Sequence, residues 1–266
     1  LGPAGAAVLA PYGALAPLWG SIILCLSCGV LVGFSLPKSR STRQNAERPS
    51  PLAMRDPRVF PHLVFLFTYF VAVGMIQQTL GWFIEDRGYA DGLTDTPLSV
   101  GFELLGLEFR LLIDSVEEGT VLFTGIAFAC LAVMMVFIQF GYVQPRKPDP
   151  RGMLPTGLFL IAIGYVLANL LAPFWAVCVA FLIVGAGAAL AVPAANALGS
   201  LSVERQEQAS AAALLAAAPP SGFIFGPLLG ATLYQVAAPL PLYASAGVMA
   251  ILGIYAVLVV ARRPIG

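Results

Sequence analysis

An all-α, polytopic membrane protein is predicted by two features of this 266-residue sequence. Five stretches, residues 1–37, 59–84, 119–145, 152–203 and 208–261, contain no Asp, Glu, Lys or Arg, so all 14 basic and 14 acidic residues fall in the gaps and the tail. The chain is also 59% hydrophobic and 11% charged, with a mean hydropathy of +0.87. So few charges could not cover a soluble domain of this size. A hydrocarbon slab about 30 Å thick is crossed by roughly 20 apolar helical residues. Stretches of 26 and 27 residues therefore hold one crossing each, and those of 52 and 54 hold two. The first, of 37 residues, is slightly short for two helices and a turn, so the sequence is expected to begin inside a helix, the first of eight crossings.

In chain order, residues 1–16 and 18–36 are expected to form a helical hairpin turning at Ala16-Pro17-Leu18. Residues 37–58, rich in Ser, Arg, Asn and Pro, read as a linker. The remaining helices are expected at about 60–84, 120–143, 153–171, 174–199, 209–235 and 240–261, the fifth of them broken near Pro219-Pro220-Ser221-Gly222. Within the 85–118 loop, Phe102, Leu105, Phe109, Leu112 and Val116 recur at 3 and 4 spacing, and Thr96-Pro97 offers a cap and first helical position. An amphipathic helix on the outer membrane surface is the first reading. Alternation through Val100, Phe102 and Leu104, then Leu107, Phe109 and Leu111, also fits a hairpin turning at Leu105-Gly106.

Charge signs orient the chain. Residues 38–58 carry Lys38, Arg40, Arg43, Arg48, Arg55 and Arg58 against Glu47 and Asp56, whereas 85–118 carries nine acidic residues against Arg87 and Arg110. Basic residues are retained on the cytoplasmic side, which makes the first segment cytoplasmic and the second extracytoplasmic. The alternation continues with Arg146, Lys147 and Arg151 inside, and Arg262 and Arg263 place the C-terminus inside. Glu204, Arg205 and Glu207 favour neither side, so topology alone assigns them to the cytoplasm.

The sequence repeats itself. Laid over 226–245, residues 2–21 match at Gly2, Pro3, Ala7, Leu9, Ala14, Pro17, Leu18 and Ser21, opposite Gly226, Pro227, Ala231, Leu233, Ala238, Pro241, Leu242 and Ser245. The first two helices thus read as a copy of the last two, as in parallel repeats of six helices each. With Leu1-Gly2-Pro3-Ala4-Gly5-Ala6 and Ile224-Phe225-Gly226-Pro227-Leu228-Leu229-Gly230-Ala231, the chain resembles the major facilitator superfamily, and specifically its twelve-helix drug–proton antiporter branch. The resemblance implies the major facilitator fold: the last two helices of the N-terminal half at 1–36, the central linker at 37–58, and the C-terminal six-helix half at 59–266. Helices 1 to 4 would be missing. It also implies the plasma (inner) membrane of a bacterium. The Gly-Pro segments Gly2, Pro3, Gly226, Pro227 and Gly230 combine close helix approach with a lost backbone donor, which suits either plain packing or a rocking interface. Gly185, Gly187 and Pro193 could act likewise.

Polar residues inside a bilayer are costly and mark candidate pathways. Gln77 and Gln78 lie past the middle of their helix, and Gln78, Trp82 and Glu85 share a face by their 4 and 3 spacing. In the resembled family this helix lines the central cavity, so Gln77, Gln78 and Trp82 are candidate substrate contacts, with Tyr69 and Asn196 behind them. Each could equally tie two helices together. No titratable group is embedded in the helices; Glu85 and Asp86 sit at a helix end, so a main proton carrier would belong to the missing helices.

Cys25 and Cys28 form a C-x-x-C in the middle of a helix with no His or carboxylate to complete a metal sphere, and Cys130 and Cys178 are isolated in the sequence. They read as small apolar side chains. No metal, cofactor or nucleic-acid partner is expected. No phosphate loop, dinucleotide fingerprint or nucleophile constellation occurs, which argues against an enzyme. The resemblance implies secondary transport, with efflux of small lipophilic or amphipathic compounds by proton-coupled alternating access. The lipid bilayer, a small-molecule substrate, protons and the missing helices would be its partners. The alternative is a truncated or auxiliary membrane protein without transport activity of its own. The 266 residues alone are not expected to transport, because the cavity needs both halves.

Overall fold

The computed structural model describes residues 15–35, 55–93, 98–104, 107–113 and 115–260. The first expected helix and the residues Gly2 and Pro3 lie outside them. Helix α1, Ala16–Ser35, follows the turn at Leu15 and contributes nothing to the buried core among the described residues. Six further helical spans are long and apolar enough to cross a membrane. They are α2 (Phe60–Asp86), α3 (Val116–Ile138), α4 (Pro150–Leu170), α5 (Phe174–Leu201), the pair α6 (Gln208–Leu215) and α7 (Ala218–Val236), and α8 (Leu240–Tyr255). Turns of wider π type extend α3 through Gln139–Val143 and α8 through Ala256–Val260.

Local chemistry explains most boundaries. Pro61 stands in the first turn of α2, where its missing N–H costs nothing. Asp149 caps α4 by accepting from Arg151 N at 3.1 Å, and Ser115 caps α3 by accepting from Glu118 N at 3.2 Å. Glu117 and Glu118 then sit in the first turn, where the helix dipole favours them. The expected break before α7 is present. The helix stops at Ala216 and restarts at Ala218, with Pro219 and Pro220 in its first turn.

Lipid tails are as apolar as leucine, so these helices are held by close packing rather than by escape from water. At the tightest contacts the small residues are indispensable. A Cβ on Gly157 of α4 would lie 2.5 Å from the Gly187 carbonyl of α5. On α7, Gly222, Gly226 and Gly230 form a stripe against the α2 backbone, where added Cβ atoms would lie 2.8 Å from Phe70 C, 2.7 Å from Val71 O and 2.8 Å from Met75 O. Helix α5 packs between α4 and α3, while α2 packs on α7 and α8. Leu66, Ile76, Leu158, Ile161, Phe181 and Met249 fill the centre. The buried Ser245 hydroxyl donates to Ala72 O at 2.9 Å, joining α8 to α2. Cys130 and Cys178, far apart in sequence, meet across the α3–α5 contact.

The loop between α2 and α3 departs from the first sequence reading. Strands β1 (Leu98–Leu104) and β2 (Leu107–Ile113) replace the surface helix. They pair antiparallel, Val100 with Leu111, Phe102 with Phe109 and Leu104 with Leu107. Both periodicities were present. Glycines at 101 and 106 each disfavour a helix by about 1 kcal/mol, while the alternating β-branched and aromatic positions suit a ribbon. The expected cap at Thr96-Pro97 lies outside the described residues. Apart from this hairpin, the fold is the expected all-α polytopic one.

Candidate functional site: the polar face of α2

Ends of the lobe are fixed by two sets of contacts. At one end, Arg58 donates to both oxygens of Glu207, at 2.8 and 3.1 Å, and to both oxygens of Asp56, at 3.1 and 2.9 Å. This places the 204–207 turn, whose charges favoured neither side, beside the end of the linker. Hydrogen bonds from Arg58 hold the Asp56 and Glu207 carboxyls below their ordinary values. At the other end, Arg87 donates to the carbonyls of Asn169 and Leu171 and Tyr89 donates to Ala172 O at 2.7 Å. A cation and a phenol thus satisfy the carbonyls left over where α4 stops. Arg87 also lies over the Phe83 ring, 4.7 Å from its centroid.

Between these ends runs the face that carries the candidate residues. Gln77 and Gln78 of α2 are exposed, as are Trp82, Glu85 and Asp86 further along it. Trp82 meets Tyr234 of α7 with ring centroids 5.5 Å apart, and the Tyr234 hydroxyl donates to an oxygen of Asp86. An aromatic pair, two carboxyl groups and the Gln78 amide therefore share one open face, with the Gln77 amide about 100° around the helix from Gln78. Carboxylates accept hydrogen bonds and protons, aromatic faces attract cations, and primary amides offer both donors and acceptors.

The other candidates fall elsewhere. Tyr69, expected among the substrate contacts, is buried at 3% exposure. It precedes Gln78 by nine residues, two and a half turns, and so looks into the lobe where Gln78 looks out. Its ring packs edge-on against Phe70 at 5.1 Å. Asn196 is exposed, but its amide donates to Val192 O of its own helix at 3.0 Å. Its neighbour Gly199 faces His62 near the start of α2. About 12 residues of helix, some 18 Å, therefore separate Asn196 from the glutamines. Gly226 and Gly230 pack inside the lobe against α2, with Pro227 within van der Waals reach of Gly74. Tyr234, Arg87 and Tyr89 escaped the sequence reading because each acts through a partner more than 80 residues away.

With this geometry in place, comparison with known proteins gives the class. The profile of the Major Facilitator Superfamily matches residues 119–266. The chain belongs to the major facilitator superfamily. It is a multi-pass integral membrane protein. Among solved structures, a POT family transporter in complex with 5-aminolevulinic acid is similar at 13% identity and a TM-score of 0.40. The likeness covers 91% of this chain and 52% of that one, so the chain spans about half the length of that transporter. No curated protein sequence matches it.

Proposed function

We propose that this major facilitator chain forms one lobe of a secondary transporter of the drug–proton antiporter kind, exporting small lipophilic or amphipathic compounds by proton-coupled alternating access. One observation carries the reading: Gln78 and Trp82 share an open face of α2, with the exposed Gln77 about 100° around the helix from Gln78. That face ends at the Tyr234–Asp86 hydrogen bond. An apolar compound with one or two polar groups could lie on it, its polar atoms on the amides and its flat or cationic part on Trp82. Glu85 and Asp86 stand at the mouth, and the main proton carrier belongs to the second lobe. The Arg58–Glu207 end is the cytoplasmic one on this reading, by the charge rule, and the C-terminus is cytoplasmic with it. The other half of the cavity comes from a second lobe of six helices.

The test is transport by the protein expressed from its full reading frame, in inverted vesicles energised with a proton gradient. Gln78→Ala and Gln77→Ala are expected to change the order of preference among lipophilic substrates, while Asn196→Ala leaves it unchanged. Identical selectivity in all three variants would reduce the glutamines to packing residues.

A further inference from the structure

Helices α4 and α8 enclose a cavity of about 450 Å³ that is open along one side. Phe159, Ile163 and Leu167 line it from α4, one turn apart, and Tyr243, Gly247 and Ala250 line it from α8. The groove has a closed end and an open floor. The Phe159 ring rests on Gly253, where an added Cβ would meet it at 3.1 Å, whereas a Cβ on Gly247 would meet nothing within 4 Å. From Phe159 to Leu167 is eight residues, about 12 Å of helix. One leaflet of hydrocarbon is about 15 Å deep. The groove therefore runs from near mid-membrane to the first turn of α8, on the side of the β-hairpin. There Tyr243 is 40% exposed, at the level where phenols meet lipid headgroups.

Its open side continues into the exposed apolar surface of Ile163, Leu170, Ile251 and Ile254, through which a membrane-spanning lobe meets lipid. The wall carries no charge and no buried polar group, so the occupant must be apolar along its length and polar only beside Tyr243. We propose that this groove binds one acyl chain of a phospholipid from the leaflet on the hairpin side, with the Tyr243 hydroxyl donating to an oxygen at the glycerol or phosphate level. The site is separate from the polar face of α2 and does not depend on what that face binds.

The experiment uses the whole chain, purified in detergent and titrated with palmitoyl-oleoyl phosphatidylethanolamine under native mass spectrometry. One retained lipid per chain is expected. Gly247→Leu should lose it by filling the open floor, while Gly29→Leu, which adds the same side chain to open space on α1, should keep it. Equal retention by the two variants would overturn the assignment. If Gly247→Leu fails to fold, a reporter decides: fluorescence of Ile163→Trp should be quenched by brominated phospholipid at mole fractions below those that quench Trp175, itself exposed on α5. Quenching in simple proportion to bulk lipid would refute the site. So would relief by tetraphenylphosphonium but not by unbrominated phospholipid, which would make the groove a solute site.

Discussion

Alanine at Gly226 would place a Cβ 2.7 Å from Val71 O and 2.8 Å from Gly74 Cα. Both are backbone atoms in the middle of α2, so no side chain can rotate away. To restore an ordinary contact the helices must part locally by about 0.7 Å, and the flanking contacts of Gly222 and Gly230 open with them. Overpacking of this kind costs about 1–3 kcal/mol, offset by up to about 1 kcal/mol of better helix propensity. A net loss of about 1–2 kcal/mol is expected. Gly247→Ala is the control, since its Cβ enters open space and only the propensity gain remains, a stabilisation of up to about 1 kcal/mol. Unfolding in mixed micelles titrated with sodium dodecyl sulfate, followed by circular dichroism, measures both. If the two alanines shift the midpoint in the same direction, the glycine stripe is not what sets the α2–α7 distance. Gly74→Ala, whose Cβ would lie 3.2 Å from Gly226 Cα, should fall between them.

Three further outcomes follow from the same contacts. Arg58 lowers the Asp56 and Glu207 carboxyls, so its stabilisation is present at neutral pH and fades as pH falls through those lowered values; the melting-temperature gap between wild type and Arg58→Gln should narrow as pH drops below the ordinary carboxylate range of about 4. Lys147 ends the α3 extension in the left-handed region, at φ 44° and ψ 53°, where a side chain costs about 1–2 kcal/mol. Lys147→Gly should stabilise by about 0.5 kcal/mol after the extra chain entropy of glycine, read as a raised micelle-unfolding midpoint. Ser115→Ala removes the cap on α3 and should cost about 1 kcal/mol, with faster hydrogen exchange at the amides of residues 117–119.

The spans were legible because bilayer thickness constrains the sequence directly: a helix expected at 174–199 is found at Phe174–Leu201, begun by Pro173. The line Gln78, Trp82, Glu85 was legible because helical spacing alone puts these residues together. What such spacing does not specify is the partner helix. Gly226 and Gly230 announced a close approach without saying to what, and the structure puts α2 of the same lobe there. Tyr69 differs from Gln78 only by helical phase, and residue type gave no sign of which phase faced inward. Residues 98–113 fit two periods at once, and the choice fell to glycines at 101 and 106, which a ribbon tolerates better than a helix. Tyr234 near the end of an apolar stretch carried no mark of Asp86, because their pairing is a property of how α2 and α7 meet.

The glycine stripe bears on biogenesis. Gly74 and Gly226 are 152 residues apart, and at roughly 5–20 residues per second of synthesis the second reaches the membrane about 8–30 s after the first. Throughout that interval α2 sits in lipid with its closest neighbour not yet made. The contact that sets their spacing is among the last to close, so a clash there would leave insertion of each span intact and strike only at final assembly.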